Sequence, residues 1–202
     1  INVGNLAENC WFLANEDTKE AVVIDPGAEP DRICAAAEKH GWKITAILLT
    51  HGHIDHMGAC ESLRTELGVK VYALTEEEDL LLDAKKNLSV FIERKVVTFE
   101  PDELLRDGQE LTLAGMKIQV IHTPGHTPGG CSYYVADAGC VFSGDTLFAE
   151  SVGRSDFPGG STSALVRAVK EKLFLLPDDT LVCPGHGEET TIGHEKKYNP
   201  FV

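Results

Sequence analysis

The chain predicts a mixed α/β layered domain with one polar site collected where several strands end. Two observations carry that reading. Short apolar runs bounded by turn residues, which mark strands, are interspersed with helical stretches, and a first such run is followed by a second. Several strand-like runs also give way to a glycine turn and then a histidine or aspartate, so ligand-type groups gather at one edge. The length agrees: 202 residues suit a single domain, 1–202, with a sizeable core.

The composition, 43% hydrophobic and 25% charged, is that of an ordinary soluble globular protein. A net charge of -14 repels nucleic-acid backbones, which are gripped by clustered Lys and Arg, so no nucleic-acid partner is expected. The acidity itself reads as solubility. Cys10, Cys34, Cys60, Cys131, Cys140 and Cys183 are scattered with no C-x-x-C pair, and several lie in apolar runs where free cysteine packs as a small hydrophobe. With a core available, no disulfide framework is needed and a reducing cytoplasm is the expected setting. No basic segment followed by an apolar core opens the chain, so no signal peptide is expected. No apolar run approaches the roughly 20 residues of a membrane span.

Cys10 to Leu13 and Ala21 to Ile24 read as strands joined by a turn at Asn15-Glu16-Asp17, the second ending in the chain reversal Asp25-Pro26-Gly27. Pro30 to His40 is a helix by its leading proline and trailing Gly41. Thr45 to Leu49 is a buried strand. Asp55 to Leu67 follows as one helix, with Ala59, Leu63 and Leu67 four apart and Gly68 as its stop. Val69 to Leu74 is a strand, and Thr75 with Glu78 reads as a capping pair before Leu80-Leu81-Leu82. Asp83 to Glu103 fits either a mobile flap or a helix plus edge strand. Leu111 to Leu113 lies between turns at Gly108 and Gly115, and Ile118 and Val120 alternate with Lys117 and Gln119 in a half-buried strand. Cys131 to Ala136 and Cys140 to Ser143 form a hairpin around Asp137-Ala138-Gly139. Ser161 to Leu176 is an amphipathic helix with Leu165, Val169 and Leu173 on one stripe, Leu181 to Cys183 a short strand, and Thr191 to Tyr198 a terminal helix.

The chemistry is concentrated in Thr50-His51-Gly52-His53-Ile54-Asp55-His56, directly after the buried strand. A single surface histidine would mean little; three with an aspartate within six residues point to metal, because imidazole and carboxylate are ligands for borderline and harder divalent ions. Three further strand ends repeat the design more sparsely: Thr123-Pro124-Gly125-His126, Gly144-Asp145-Thr146 and Pro184-Gly185-His186-Gly187. Together they offer seven ligands, His51, His53, Asp55, His56, His126, Asp145 and His186. One tetrahedral zinc takes four, so seven suit two ions that share a carboxylate and a water. Of the other histidines, His40 falls at a helix end, His122 braces the Thr-Pro-Gly turn, and His194 faces solvent.

These motifs, with Ser143-Gly144-Asp145-Thr146-Leu147-Phe148, resemble the metallo-β-lactamase superfamily along nearly the whole chain. Gly153-Arg154 and the terminal Tyr198-Asn199-Pro200-Phe201 resemble its glyoxalase II (hydroxyacylglutathione hydrolase) branch. The resemblance implies an αββα sandwich with metals at one edge of the sheets. It implies His51, His53 and His126 around a first ion, Asp55, His56 and His186 around a second, and Asp145 bridging. Asp25 matches a loop-supporting acid of the family, and Arg154 a substrate-binding cation. Asp55 and Asp145 then count as catalytic as well as metal-ligating. The family's longer enzymes continue past Tyr-Asn-Pro-Phe into helices that complete a glutathione site, so that part does not carry over to a chain ending at Val202. Gly153-Arg154-Ser155-Asp156-Phe157 is also close to the wording of mononuclear-iron persulfide dioxygenases, whereas Pro184-Gly185-His186-Gly187 follows the hydrolases. Two cations, most simply zinc with iron or manganese as substitutes, make hydroxide available near neutral pH. A thioester suits that nucleophile, because a thiolate leaves without a dedicated general acid. The expected activity is hydrolysis of a small thioester such as S-lactoylglutathione, with persulfide dioxygenation or hydrolysis of another ester or lactone as alternatives.

Overall fold

The computed structural model describes residues 1–202. A short ribbon, β1 (Asn2–Val3) with β2 (Glu8–Asn9), leads into the first sheet. That sheet runs in the order β3 (Trp11–Asn15), β4 (Glu20–Ile24), β5 (Lys43–Leu48), β6 (Lys70–Leu74) and β7 (Glu103–Leu105). The β3 strand is antiparallel to β4 and every other pair is parallel. The second sheet comprises β8 (Glu110–Leu113), β9 (Met116–His122), β10 (Cys131–Val135) and β11 (Cys140–Gly144). After a small ribbon, β12 (Leu147–Phe148) with β13 (Ser151–Val152), it is completed by β14 (Leu181–Pro184), parallel to β11, and the edge strand β15 (Thr190–Thr191).

Side-chain alternation along the strands decides the layers. Val22 and Ile24 of β4 and Ala46 and Leu48 of β5 face the second sheet, where Ile118, Val120, Tyr133 and Phe142 meet them. The intervening Val23 and Ile47 point the other way, onto Ile33 and Ala37 of α1 (Pro30–His40) and onto Leu63. On the far face of the second sheet, Val141 and Val182 pack against Val169 of α6 (Thr162–Glu171) and Ile192 of α7 (Ile192–Tyr198). The result is helix, sheet, sheet, helix: the αββα sandwich. A strand buried on both faces needs no polar side, which is why Ala46-Ile47-Leu48-Leu49 is apolar without a break. No helix is long and apolar enough to cross a membrane.

Two local expectations change and one left open is resolved. The helix expected over Asp55 to Leu67 is two, α2 (Ile54–Met57) and α3 (Cys60–Leu67). The break is tertiary in origin: the Ala59 N–H turns out to the Pro26 carbonyl at 2.9 Å, and a Cβ on Gly58 would stand 2.4 Å from the Gly27 carbonyl oxygen. Thr75 does not cap, since its hydroxyl donates to the Leu105 carbonyl at 2.8 Å, and the chain passes through a 3-10 turn into α4 (Glu78–Leu81). Asp83 to Glu103 takes the form of a short helix, α5 (Ser89–Ile92), leading to the edge strand β7. Buried Asn87 pins the segment, donating to the Leu81 and Val97 carbonyls and accepting Ser89 N–H.

The two sheets are cross-tied beside the histidine loop by fully buried Tyr133, whose hydroxyl donates to the Leu49 carbonyl at 2.7 Å. Tyr133→Phe keeps the ring and removes that bond, a loss of about 1 kcal/mol. For a chain of this size the midpoint of thermal unfolding is expected to fall by about 2–4 °C in a circular-dichroism melt, and an unchanged melt would show that the bond contributes nothing.

Candidate metal centre

The C-terminal ends of β5, β9, β11 and β14 open at one edge of the sandwich, the end of parallel strands where α/β proteins collect ligand groups. The loop after β5 delivers His51 and His53 and then Asp55 and His56 on α2; the other three strands deliver His126, Asp145 and His186. His51, His53 and His126 form one group. Their ring centroids lie 4.9, 4.8 and 4.7 Å apart with near-perpendicular planes, and His53 Nδ1 is 2.9 Å from His126 Nε2. Asp55, His56 and His186 form a second, and within each group the ligand atoms lie within 4.8 Å of one another. Asp145 stands between them. Its Oδ1 is 3.4 Å from His56 Nε2, and its Oδ2 is 3.5 Å from His126 Nε2 and 3.9 Å from His186 Nε2. All seven residues singled out in the sequence are thus brought to one place.

The donor set fits divalent metal. His51 Nε2, His56 Nε2 and Asp145 Oδ1 are buried with no hydrogen-bond partner. Each such atom costs roughly 1–3 kcal/mol, and imidazole with carboxylate is the chemistry that zinc, iron and manganese accept.

The rings are turned inward by their other nitrogens. Asp25 Oδ1 accepts the Thr50 N–H at 2.7 Å, while its Oδ2 accepts the Thr50 hydroxyl at 2.5 Å and meets His56 Nδ1 at 3.0 Å. The Thr50 oxygen in turn lies 3.1 Å from His51 Nδ1. His126 Nδ1 donates to the Arg154 carbonyl at 2.6 Å. Close approach makes two glycines obligatory. A Cβ on Gly144, at φ 49°, would fall 2.2 Å from Thr50 Oγ1, and one on Gly185 would fall 2.3 Å from Asp145 Oδ1.

Burial and charge set the protonation states. Burial holds His51 and His126 below the ordinary imidazole range and pushes His53 down to about 3, so all three present lone pairs. Burial also presses His56 downward, but the Asp145, Asp55 and Asp25 carboxylates outweigh it and raise His56 well above that range. Asp55, which burial alone would raise, is held low by His56 and His186.

Arg154, the expected substrate-binding cation, already has a partner. Its guanidinium makes a two-pronged pair with Asp156, Nε to Oδ1 at 2.9 Å and Nη2 to Oδ2 at 2.8 Å, and lies 4.4 Å over the Phe157 ring. The other histidines also find definite partners. His122 braces the turn through Pro128 at 2.8 Å, His40 stacks on Trp42 at 4.5 Å, and His194 meets Glu150 at 3.0 Å. Three supports carried no signal in the sequence. Asn9 Nδ2 donates to the Pro184 and Gly187 carbonyls at 3.0 Å each, fixing the His186 loop from the first ribbon. Glu8 is fully buried 3.8 Å behind His56 Nδ1, where burial raises its carboxyl well above the usual range. Glu77 is buried between two ligand loops, accepting one backbone N–H from each, and burial pushes it up to about 7. Only their tertiary neighbours distinguish these acids from the other acidic residues of the chain.

The sequence pattern of the metallo-β-lactamase superfamily matches residues 3–186, and the chain belongs to that superfamily. Fold and site together define an enzyme of this metallo-hydrolase family. Among its relatives, the hydroxyacylglutathione hydrolase GloC of Haemophilus influenzae is 36% identical over 204 residues, covering 100% of this chain and 96% of its own. The solved B3 metallo-β-lactamase BLEG-1 superposes with a TM-score of 0.94 at 39% identity, over 100% of this chain and 97% of that one. TTHA1623, solved in a di-iron-bound form, superposes with a TM-score of 0.88 at 38% identity, over 100% and 98%.

If an ion takes His56 as a ligand it has to displace the proton that the carboxylates hold there, while the first histidine group is already neutral, so loading the chelated protein near pH 7 is expected to release about one proton per chain from the histidines. Titration calorimetry in buffers of different ionisation enthalpy measures it, and a binding heat independent of buffer would contradict this protonation pattern.

Proposed function

We propose that this chain, acting as one domain in the cytoplasm, is a hydrolase that uses two divalent metal ions to cleave a small thioester such as S-lactoylglutathione. The observation that carries the reading is the place of Asp145, one carboxylate oxygen within 3.4 Å of a nitrogen of the second group and the other within 3.5 Å of the first. His51, His53 and His126 would hold one ion, Asp55, His56 and His186 the other, and Asp145 both. Zinc is the first choice, with iron or manganese accepted by the same ligands. Ions held by these residues would supply Lewis acidity, making hydroxide available near neutral pH and polarising the carbonyl under attack.

The protein's own contribution is orientation and shelter. Asp25, Thr50 and the Arg154 carbonyl keep the imidazole lone pairs aimed inward. Phe157, 5.3 Å from the His53 ring and 5.9 Å from His126, flanks one side; Phe148, 6.3 Å from His186, flanks the other. A thiolate whose conjugate acid has a pKa of about 8.5 departs unprotonated. An amide nitrogen needs a proton, and Asp55, a carboxyl beside the centre, is held ionised. That difference favours a thioester over a lactam, and the likeness to the Haemophilus hydrolase supports the same substrate class. Arg154 serves as the grip for a substrate carboxylate. Its pairing with Asp156 is exposed on both sides and screened by solvent, so an incoming carboxylate can replace it.

Elemental analysis with steady-state kinetics tests the reading. Two ions per chain and turnover of S-lactoylglutathione are expected, well above turnover of a chromogenic cephalosporin and without oxygen uptake on glutathione persulfide. A single ion after full reconstitution, or preference for either rival substrate, would sink it. Asp145→Ala is expected to lower turnover by orders of magnitude and to reduce metal content while the fold persists. Arg154→Ala is expected to raise KM for the glutathione thioester with little change in kcat, the pattern of lost uniform binding, and to leave an uncharged thioester unaffected. Equal losses on both substrates would reassign Arg154 to bracing its loop.

A further inference from the structure

We propose that Glu77 is a positioning residue that locks the loop of His51 and His53 to the loop of His126, and thereby sets how firmly those three imidazoles hold an ion. The inference rests on the reading of that trio as one of the two metal sites.

The two loops come from different sheets, one from the end of β5 and one from the end of β9, and the turn Thr75–Glu77 sits against both. Glu77 Oε1 accepts the N–H of Gly52, the residue between His51 and His53, at 2.8 Å. Its Oε2 accepts the N–H of Gly129, three residues after His126, also at 2.8 Å. The packing leaves no slack. A Cβ on Gly129 would stand 2.2 Å from the Glu77 nitrogen, and one on Gly52 would stand 2.7 Å from Leu81 Cδ2.

Space filling alone does not account for an acid here. Burying a carboxylate is costly unless donors meet it, and a glutamine of the same size would avoid the charge. Glutamine, however, offers one acceptor where the two loops present two N–H groups, and its NH₂ would face the second of them. Only the carboxylate accepts both N–H groups at once. A shift of one loop against the other would move His126 relative to His51 and His53, whereas Asp55, His56 and His186 have no bond to Glu77.

The test compares wild type, Glu77→Gln and Gly129→Ala, the last pressing on the same tie from the opposite side. Each is loaded with Co²⁺ and dialysed at pH 8 against a graded chelator, and ions per chain and the cobalt visible spectrum are read. Both variants are expected to release one of the two ions at roughly 10–100-fold lower chelator than wild type, the usual cost of removing a group that orients metal ligands. The second ion should be retained as in wild type, the visible bands of the three-imidazole site should weaken first, and the metal-free Glu77→Gln melt should stay close to wild type. Variants that follow the wild-type curve for both ions, or lose both ions in step, would overturn the role given to Glu77. Wild type holding fewer than two ions would instead bring down the reading of the centre on which it rests.

Discussion

A carboxylate that is 2% exposed has to find donors, and Asp25 finds them just past the end of the next strand. Parallel pairing of β4 with β5 sets Ile24 opposite Leu48, and the Asp25 N–H continues that ladder to the Leu48 carbonyl. The residue then turns at φ 52°, a conformation uncommon outside glycine, and aims its side chain at Thr50 and His56. Strand register thus becomes ring orientation: Thr50 passes the constraint to His51, and His56 receives it directly. The inward orientation of both His51 and His56 rests on this one anchored acid.

Around it the fold accepts local costs for convergence. Imidazoles are kept neutral by burial on one side of the centre, while His56 is charged by the carboxylates on the other. The asymmetry follows from placement, because His56 faces Asp145 and Asp55 whereas His53 faces His126.

Much of this was legible in the sequence, for identifiable reasons. Seven candidate ligands could be read because they cluster after strands and because glycine turns announce each loop. The helix from Pro30 to His40 was readable from its proline and from Gly41, which closes it at φ 71°. What could not be read depends on partners distant in the chain. The division of the second helix is caused by the Pro26 carbonyl, and nothing between Asp55 and Leu67 signals it beyond a glycine that helices tolerate. Glu77 lies in the acidic run Glu76-Glu77-Glu78-Asp79, where only its burial singles it out. Arg154 was recognisable as a cation, but its engagement by Asp156 two residues on depends on a loop conformation that no periodicity encodes.

The ligand groups do not belong to one layer. His51, His53, Asp55 and His56 follow a strand of the first sheet, and His126, Asp145 and His186 follow strands of the second. An ion held by His51, His53 and His126 would therefore be a rivet between the two halves of the sandwich, and the separated sheets would offer it no complete site. Ligand binding that requires the docked state adds to the stability of docking by RT ln(1 + [L]/Kd), so free metal concentration becomes a variable in the folding equilibrium itself. In such a chain a fall in free metal would lower the stability of the docked sandwich without by itself undoing the fold.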